Sequence, residues 1–320
     1  MRKLKQAFTF FFELKKIGEK ANAPKFLQKN EKYSIIFQKQ SFKIQKNKIR
    51  LSLGKEIKNI LREKNHSQFL YIKKHHNATQ EINQIEIVPK YNGRYYTIHY
   101  IYENTIKETE NCSKIEDFAA IDLGEVNLAS IYSPNGSRPL IISGKEIKEI
   151  NNRTYRTIKY LNKKHKQYTN YHYQIWERRE NKIMNYMHCA SSKIIKYCQL
   201  NNIKKLVIGY NINWKNKINM GRKNNGKFYS IPYRRFVNMI FYKGLQEGIN
   251  VVETDESYTS KCDALTNEEV QFQRTYTGHR KHRGLFTSGI GFSINADING
   301  AINILRNNTL TAIIASLTSL

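Results

Sequence analysis

The 320-residue sequence predicts an α/β domain, preceded by a small β-rich domain. Three observations carry this. From residue 118 onward, short apolar runs alternate with long stretches of helical period. Residues 31 to 110 instead alternate apolar and polar side chains at a period of two. Between these regions, residues 104–117 are polar and charged, as a linker is.

Residues 1–30 read as a helix and then irregular chain, with Pro24 as a break. The run Phe8 to Phe12 follows basic residues, but Glu13 interrupts it and Lys15-Lys16 follows without a small-residue cleavage site. It reads as the end of an amphipathic helix rather than a secretion signal. In the β-rich region, 31–117, strands are expected at Tyr33 to Phe37, Ser41 to Ile44, Glu81 to Val88 and Tyr95 to Tyr102. Asn92-Gly93 marks a hairpin. One short helix is expected near Lys55 to Lys64, and the strands are expected to close as a barrel.

The second domain, 118–308, begins with strands at 118–124, 126–133 and 139–143, the turn Pro134 to Ser137 joining the last two. A helical hairpin insertion follows at 145–199, in two stretches, 145–168 and 172–199. Ile183, Met187, Ala190, Ile194 and Cys198 form one apolar stripe on the second, which reads as core packing. Then come a strand at 204–208, a helix carrying Phe236, Val237, Ile240, Phe241 and Leu245 inward, a strand at 249–253, a loop at 257–293 and a last helix. Three strands followed by alternating helix and strand is the ribonuclease H order. The tail 309–320 is apolar, but about half the length of a membrane span.

Lys and Arg total 54 against 26 Asp and Glu, a net charge of +28 spread through helices and loops. A surface this positive expects a polyanion, and nucleic acid first. Cys112, Cys189, Cys198 and Cys262 contain no CxxC and suggest neither a disulfide framework nor a zinc ribbon. An intracellular, cytoplasmic and reduced setting is expected, with no membrane partner.

Two acids stand out against that charge. Asp122 closes the apolar strand Phe118 to Ile121, at the strand edge where ligands of α/β sheets sit. Asp297 follows the N-cap Asn295 and opens a helix whose Ile298, Ala301, Ile302 and Leu305 share one face. Carboxylates brought together from a strand end and a helix start can hold divalent metal over a phosphodiester. Asp122 alone also fits an ordinary turn, and Asp297 alone fits a helix-dipole acid.

Ala120 to Gly124, Asn211 to Lys215, Asn219 to Pro232, Glu256 to Cys262, Tyr276 to Phe286 and Ile294 to Leu305 together resemble the TnpB family, also called OrfB. Lys48 to Lys55 and Ile87 to Tyr102 in the β-rich domain resemble it as well, so the likeness runs from about residue 27 to 306. The resemblance implies a RuvC-like nuclease domain behind a wedge-like domain that binds nucleic acid. It implies a transposon-encoded RNA-guided DNA endonuclease, with a guide RNA and a target DNA as partners. Magnesium or manganese would be held by Asp, Glu and Asp.

The chain departs from that family in three places. The family's acid at the end of the fourth strand is missing, since Val207-Ile208-Gly209-Tyr210 contains none. Of the zinc-ribbon cysteines only Cys262 remains, and His279 and His282 do not complete a good site, so no zinc is expected. Less sequence precedes the β-rich domain than the family usually carries.

Glu256, just after the fifth strand, is the expected replacement for the missing acid. The fifth strand lies beside the fourth and the fourth beside the first, so Asp122 and Glu256 have about 9–10 Å to bridge, with Gly209 leaving room between. Asp255 is the rival, but it points to the opposite face and is shorter. A solvated loop acid is the bland alternative. Lys215, Lys217, Arg222, Lys223, Arg234, Arg235, Lys261, Arg280, Lys281 and Arg283 are expected to line a nucleic-acid groove, with Tyr258 and Trp214 stacking on bases. Two functions stay open: the endonuclease, with Asp122, Glu256 and Asp297 as its metal ligands, and a nuclease-inactive nucleic-acid binder, either a repressor or a decayed transposon remnant. A strand-transferring transposase would need a DNA-end-binding domain for which the sequence gives no sign.

Overall fold

The computed structural model describes residues 2–26, 28, 29, 31–73, 81–103, 114–210, 230–282 and 284–318. The chain divides into two compact units, Met1–Asn104 and Thr105–Leu320.

The first unit starts with helix α1 (Arg2–Lys16). Its strands are β1 (Ile35–Gln38), β2 (Phe42–Ile44), β3 (Lys48–Ser52), β4 (Phe69–Lys73), β5 (Ile82–Lys90) and β6 (Tyr95–Tyr102), with helix α2 (Lys55–Glu63) after β3. No barrel closes among the described residues. The strands form two separate antiparallel sheets, β1-β5-β6 and β2-β3-β4. The 3-10 turn Lys39–Ser41 separates β1 from β2, and the chain changes sheets there. Alternation in the sequence fixes which side chains face inward, and both sheets supply them to one core. Phe37, Ile82, Ile85 and Ile87 from one meet Ile49, Leu51 and Ile72 from the other.

In the second unit, β7 (Phe118–Asp122), β8 (Asn127–Tyr132), β9 (Leu140–Ser143), β10 (Lys205–Gly209) and β11 (Asn250–Thr254) make one sheet in the order β11-β10-β7-β8-β9. The β7-β8-β9 meander is antiparallel, whereas β10 runs parallel to both β7 and β11. Parallel neighbours need long crossovers, and the helices supply them. Helices α3 (Lys145–Lys164), α4 (Asn170–Leu200) and α5 (Tyr233–Gln246) are amphipathic. The expected α4 stripe Ile183, Met187, Ala190, Ile194 and Cys198 is wholly buried in the main core, beside Phe236, Val237 and Ile240 of α5. Leu245, expected inward, is instead exposed near the end of α5.

Helix α6 (Ala296–Thr318) covers the other face, where Ile304 and Leu305 pack on Phe118, Ala120 and Val207. It runs past residue 308, so the stretch expected as a tail is largely helical. The 257–293 loop holds structure that its polar sequence hides: a small antiparallel sheet of β12 (His279–His282), β13 (Leu285–Thr287) and β14 (Ser293–Asn295). Its β14 leads directly into α6.

Among the described residues, no helix is long and apolar enough to cross a membrane.

Gly209 ends β10 where three elements crowd together. A Cβ there would collide with the Ile304 side chain and stand 3.3 Å from Cβ of Glu256. Overpacking of this kind costs about 1–3 kcal/mol. Gly209→Ala is expected to lower stability by about that much in urea unfolding, and Ile304→Val in the same chain to recover part of it.

Candidate active site

Asp122 sits at the carboxyl end of β7, behind four buried apolar residues. Strand pairing puts Gly209 of β10 next to it, and β11 beyond. The chain leaves β11 at Thr254, so Glu256 comes two residues past the strand. Asp297 stands in the first turn of α6. The Asn295 side chain caps that helix, its carbonyl oxygen accepting from the backbone N–H groups of Asp297 at 2.9 Å and Ile298 at 3.3 Å.

Helix and strand approach closely because Gly300 has no side chain. A Cβ at Gly300 would stand 2.7 Å from Oδ2 of Asp122. The Asp122 carboxylate therefore lies against the α6 backbone. Burial pushes its pKa well above the ordinary carboxylate range, and the charges of Glu256 and Asp297 push it further, against the opposing pull of Arg280. Burial, and then the charge of Asp255, raises Glu256 to about 7. Three acids from distant parts of the chain thus share one electrostatic neighbourhood.

Asp255 is turned elsewhere. Its side chain accepts from the Ser257 backbone N–H at 3.0 Å and from the Ser257 hydroxyl at 2.9 Å, which closes the turn after β11.

Two partners of Asp297 were not expected from the sequence. Asn127 Nδ2 donates to Oδ2 at 2.7 Å, and the Arg280 guanidinium donates to Oδ1 at 3.2 Å. Arg280 was read as a groove cation. Its position on β12 gives it a second property, because it brings positive charge to the carboxylates while its own side chain stays 46% exposed. Asn127 gave no signal, since a single polar residue opening a strand reads as a solvated edge.

Carboxylates are hard oxygen donors suited to magnesium or manganese, and their mutual repulsion is relieved by a divalent cation. Among the described residues, however, no three His, Cys, Asp or Glu side chains are already grouped to hold a metal ion. The acids are neighbours, but Arg280 and Asn127 now engage one of them.

Of the residues expected in a nucleic-acid groove, Lys215, Lys217, Arg222, Lys223 and Arg283, with Trp214, lie outside the described residues. Arg234 and Arg235 are tied down. Arg234 donates to both oxygens of Glu253 at 2.6 and 2.8 Å, and Arg235 donates to Glu180 at 2.6 Å. Lys261 and Lys281 are exposed, and Tyr258 is exposed with its ring edge-on to Phe272.

The 257–293 loop is organised by acids. Asp263, fully buried, accepts from the Ser288 hydroxyl at 2.6 Å and from the backbone N–H groups of Gly289 at 2.8 Å and Leu265 at 3.0 Å. Burial works against its charge, yet these hydrogen bonds outweigh it and hold its pKa below the usual value. Glu268 joins the Asp263 and Thr277 backbone N–H groups at 2.7 and 3.0 Å. Cys262 is buried, its thiol facing the Gln271 carbonyl oxygen at 3.6 Å, whereas His279 and His282 are exposed.

Residues 99–215 match the family model described as "Probable transposase", OrfB_IS605, and residues 233–304 match the model "Cas12f1-like, TNB domain". No curated protein matches the chain. Among solved structures, a Cas12f1-sgRNA-target DNA complex is 16% identical, with a TM-score of 0.47 over 92% of this chain and 74% of the other. A CRISPR-Cas12f ternary complex is also 16% identical, with a TM-score of 0.45 over 93% of this chain and 68% of the other. An AacC2c1-sgRNA-extended non-target DNA ternary complex is 12% identical, with a TM-score of 0.39 over 53% of this chain and 23% of the other.

The raised pKa of Glu256 has a consequence for folding. Without metal, the folded protein keeps a proton that the unfolded chain has released between the ordinary Glu value of 4.5 and about 7. The folded state binds more protons across that window, so this contribution to stability falls as pH rises through it and then levels off. Metal-free protein is expected to lose urea resistance between about pH 5 and 7.5, with a shallower loss in Glu256→Gln.

Proposed function

We propose that this chain, which belongs to the TnpB/OrfB-like transposase family, is an RNA-guided, metal-dependent DNA endonuclease. The observation that carries the reading is the convergence of Asp122, Glu256 and Asp297 on one electrostatic neighbourhood at the edge of an α/β RuvC-like sheet. Asp122, Glu256 and Asp297 would hold two magnesium or manganese ions, which supply an activated water and stabilise the leaving oxygen of a phosphodiester.

The side chains around that centre have separate tasks. Asn127 fixes the rotation of the Asp297 carboxylate through its 2.7 Å hydrogen bond. Arg280 offsets negative charge near Asp122 and Asp297, and its exposed guanidinium can also meet a phosphate oxygen. Lys261 and Lys281, both exposed, would add phosphate contacts that position the strand without reading its sequence.

A second surface supports a nucleic-acid partner. On the outer face of the β2-β3-β4 sheet, Lys43, Arg50 and Tyr71 form one cross-strand row. Lys48 lies over the Tyr71 ring at 4.6 Å and Arg50 over the Phe69 ring at 4.4 Å. Cations interleaved with rings, of which Tyr71 is exposed, suit a strand with stacked bases. A guide RNA and a target DNA are the proposed partners.

One observation favours the alternative, a nuclease-inactive binder of the same ancestry. The carboxylates are not grouped for metal among the described residues, and Arg280 already pairs with Asp297.

Purification with co-expressed RNA, followed by a cleavage assay in magnesium, separates the two readings. Glu256→Gln, Asp122→Ala and Asp297→Ala are each expected to abolish cleavage while leaving RNA and target binding nearly intact, and Asp255→Asn to do much less. An unmutated complex that binds its target and never cuts favours the inactive binder. RNA affinity should fall steeply with salt, by about 0.7 logarithmic units per tenfold in salt for each phosphate neutralised on a single strand. Elemental analysis should find no zinc. One zinc per chain, lost on changing Cys262, His279 or His282, would overturn that expectation.

A further inference from the structure

An acid on a β-strand inherits its position from the sheet, but Glu256 is on a turn, and turns are mobile unless tied down. The structure ties this one to α6. Asn299 and Asn303 are fully buried polar side chains four residues apart on α6, within the two turns after Asp297. The Asn303 amide donates to the carbonyl oxygens of Thr259 at 2.9 Å and Cys262 at 2.7 Å. Asn299 donates to the same Cys262 carbonyl at 2.8 Å and accepts from the Ala264 backbone N–H at 3.0 Å.

The last link belongs to Thr259, itself buried. Its hydroxyl donates to the Glu256 carbonyl oxygen at 2.8 Å, and its backbone N–H reaches the same oxygen at 3.2 Å. Arg306 donates to Oδ1 of Asn303 at 2.9 Å and so fixes which way that amide points. A continuous chain of hydrogen bonds therefore runs from the helix of Asp297 to the backbone of Glu256. Buried amides are costly unless satisfied, and here they are spent on the turn rather than on their own helix.

We propose that Asn299, Asn303 and Thr259 are positioning residues that hold Glu256 in reach of Asp122 and Asp297, and so set the affinity of the carboxylate centre for divalent metal. The inference rests on the reading of Glu256 as a ligand. These residues touch neither metal nor substrate. They stand behind the carboxylates, and such supporting partners typically govern metal affinity by roughly 10–100-fold.

The test uses the full chain purified with its RNA, and manganese binding followed by electron paramagnetic resonance. Glu256→Gln is the reference and should weaken binding. Thr259→Val keeps the shape and loses the hydroxyl, so manganese affinity should fall by roughly tenfold. The magnesium concentration for half-maximal cleavage should rise by a similar factor, with the rate at saturating magnesium little changed. Thr259→Ser keeps the hydroxyl and should restore both. A purely structural role would instead make Ser at least as harmful as Val, because Ser loses the packed methyl. Asn303→Asp should weaken manganese binding and also speed amide exchange at Thr259, whose N–H closes the turn onto the Glu256 carbonyl. If Glu256→Gln weakens binding while Thr259→Val and Asn303→Asp do not, the positioning role is wrong. If Glu256→Gln itself leaves manganese binding unchanged, Glu256 is no ligand, and both the reading and this inference fall.

Discussion

The approach of α6 to the sheet is the contact on which the rest depends. Gly300 lets Asp122 lie against the helix backbone, and Gly209 leaves the room above β10 into which Ile304 and Glu256 both reach. Both glycines remove the side chain that would hold the layers apart. That close approach produces the electrostatics, since the same helix that excludes water from Asp122 also brings the charge of Asp297 to it. A looser packing would leave three ordinary surface acids.

The sheet was legible because its strands are nearly continuous apolar runs. Phe118 to Ile121 and Leu206 to Ile208 allow little besides buried strands, and their order follows from the helices between them. The nearness of Glu256 to Asp122 could be expected because the resemblance asks for a third acid, Val207 to Tyr210 carries none, and the neighbouring strand ends next to one. The front unit was legible in its alternation but not in its closure. Alternation states which face is inward, whereas the change of sheet at Lys39–Ser41 is decided by a turn that polar residues do not announce.

The supporting polar residues were not legible. Asn is abundant throughout this chain, so Asn127, Asn299 and Asn303 read as background. Asn299 and Asn303 instead answer buried backbone groups, and Asn127 answers the Asp297 carboxylate. The short strands β12 to β14 were hidden for a related reason. His279 to His282 is polar on both faces, and only the buried Phe286 and the carboxylate of Asp263 show what the segment folds around. Arg280 was recognised as a cation near the edge, but its pairing with Asp297 depends on β12 being a strand at all.

The fastening around Asp263 changes what the 257–293 segment needs from its surroundings. A fold pinned by thiolates and zinc depends on metal supply and on thiols staying reduced. Asp263, Ser288, Gly289 and Leu265 need only that the carboxylate stay ionised, and their hydrogen bonds keep it so. This fastening is made of the chain's own atoms, and acid strong enough to protonate the carboxylate is what would undo it.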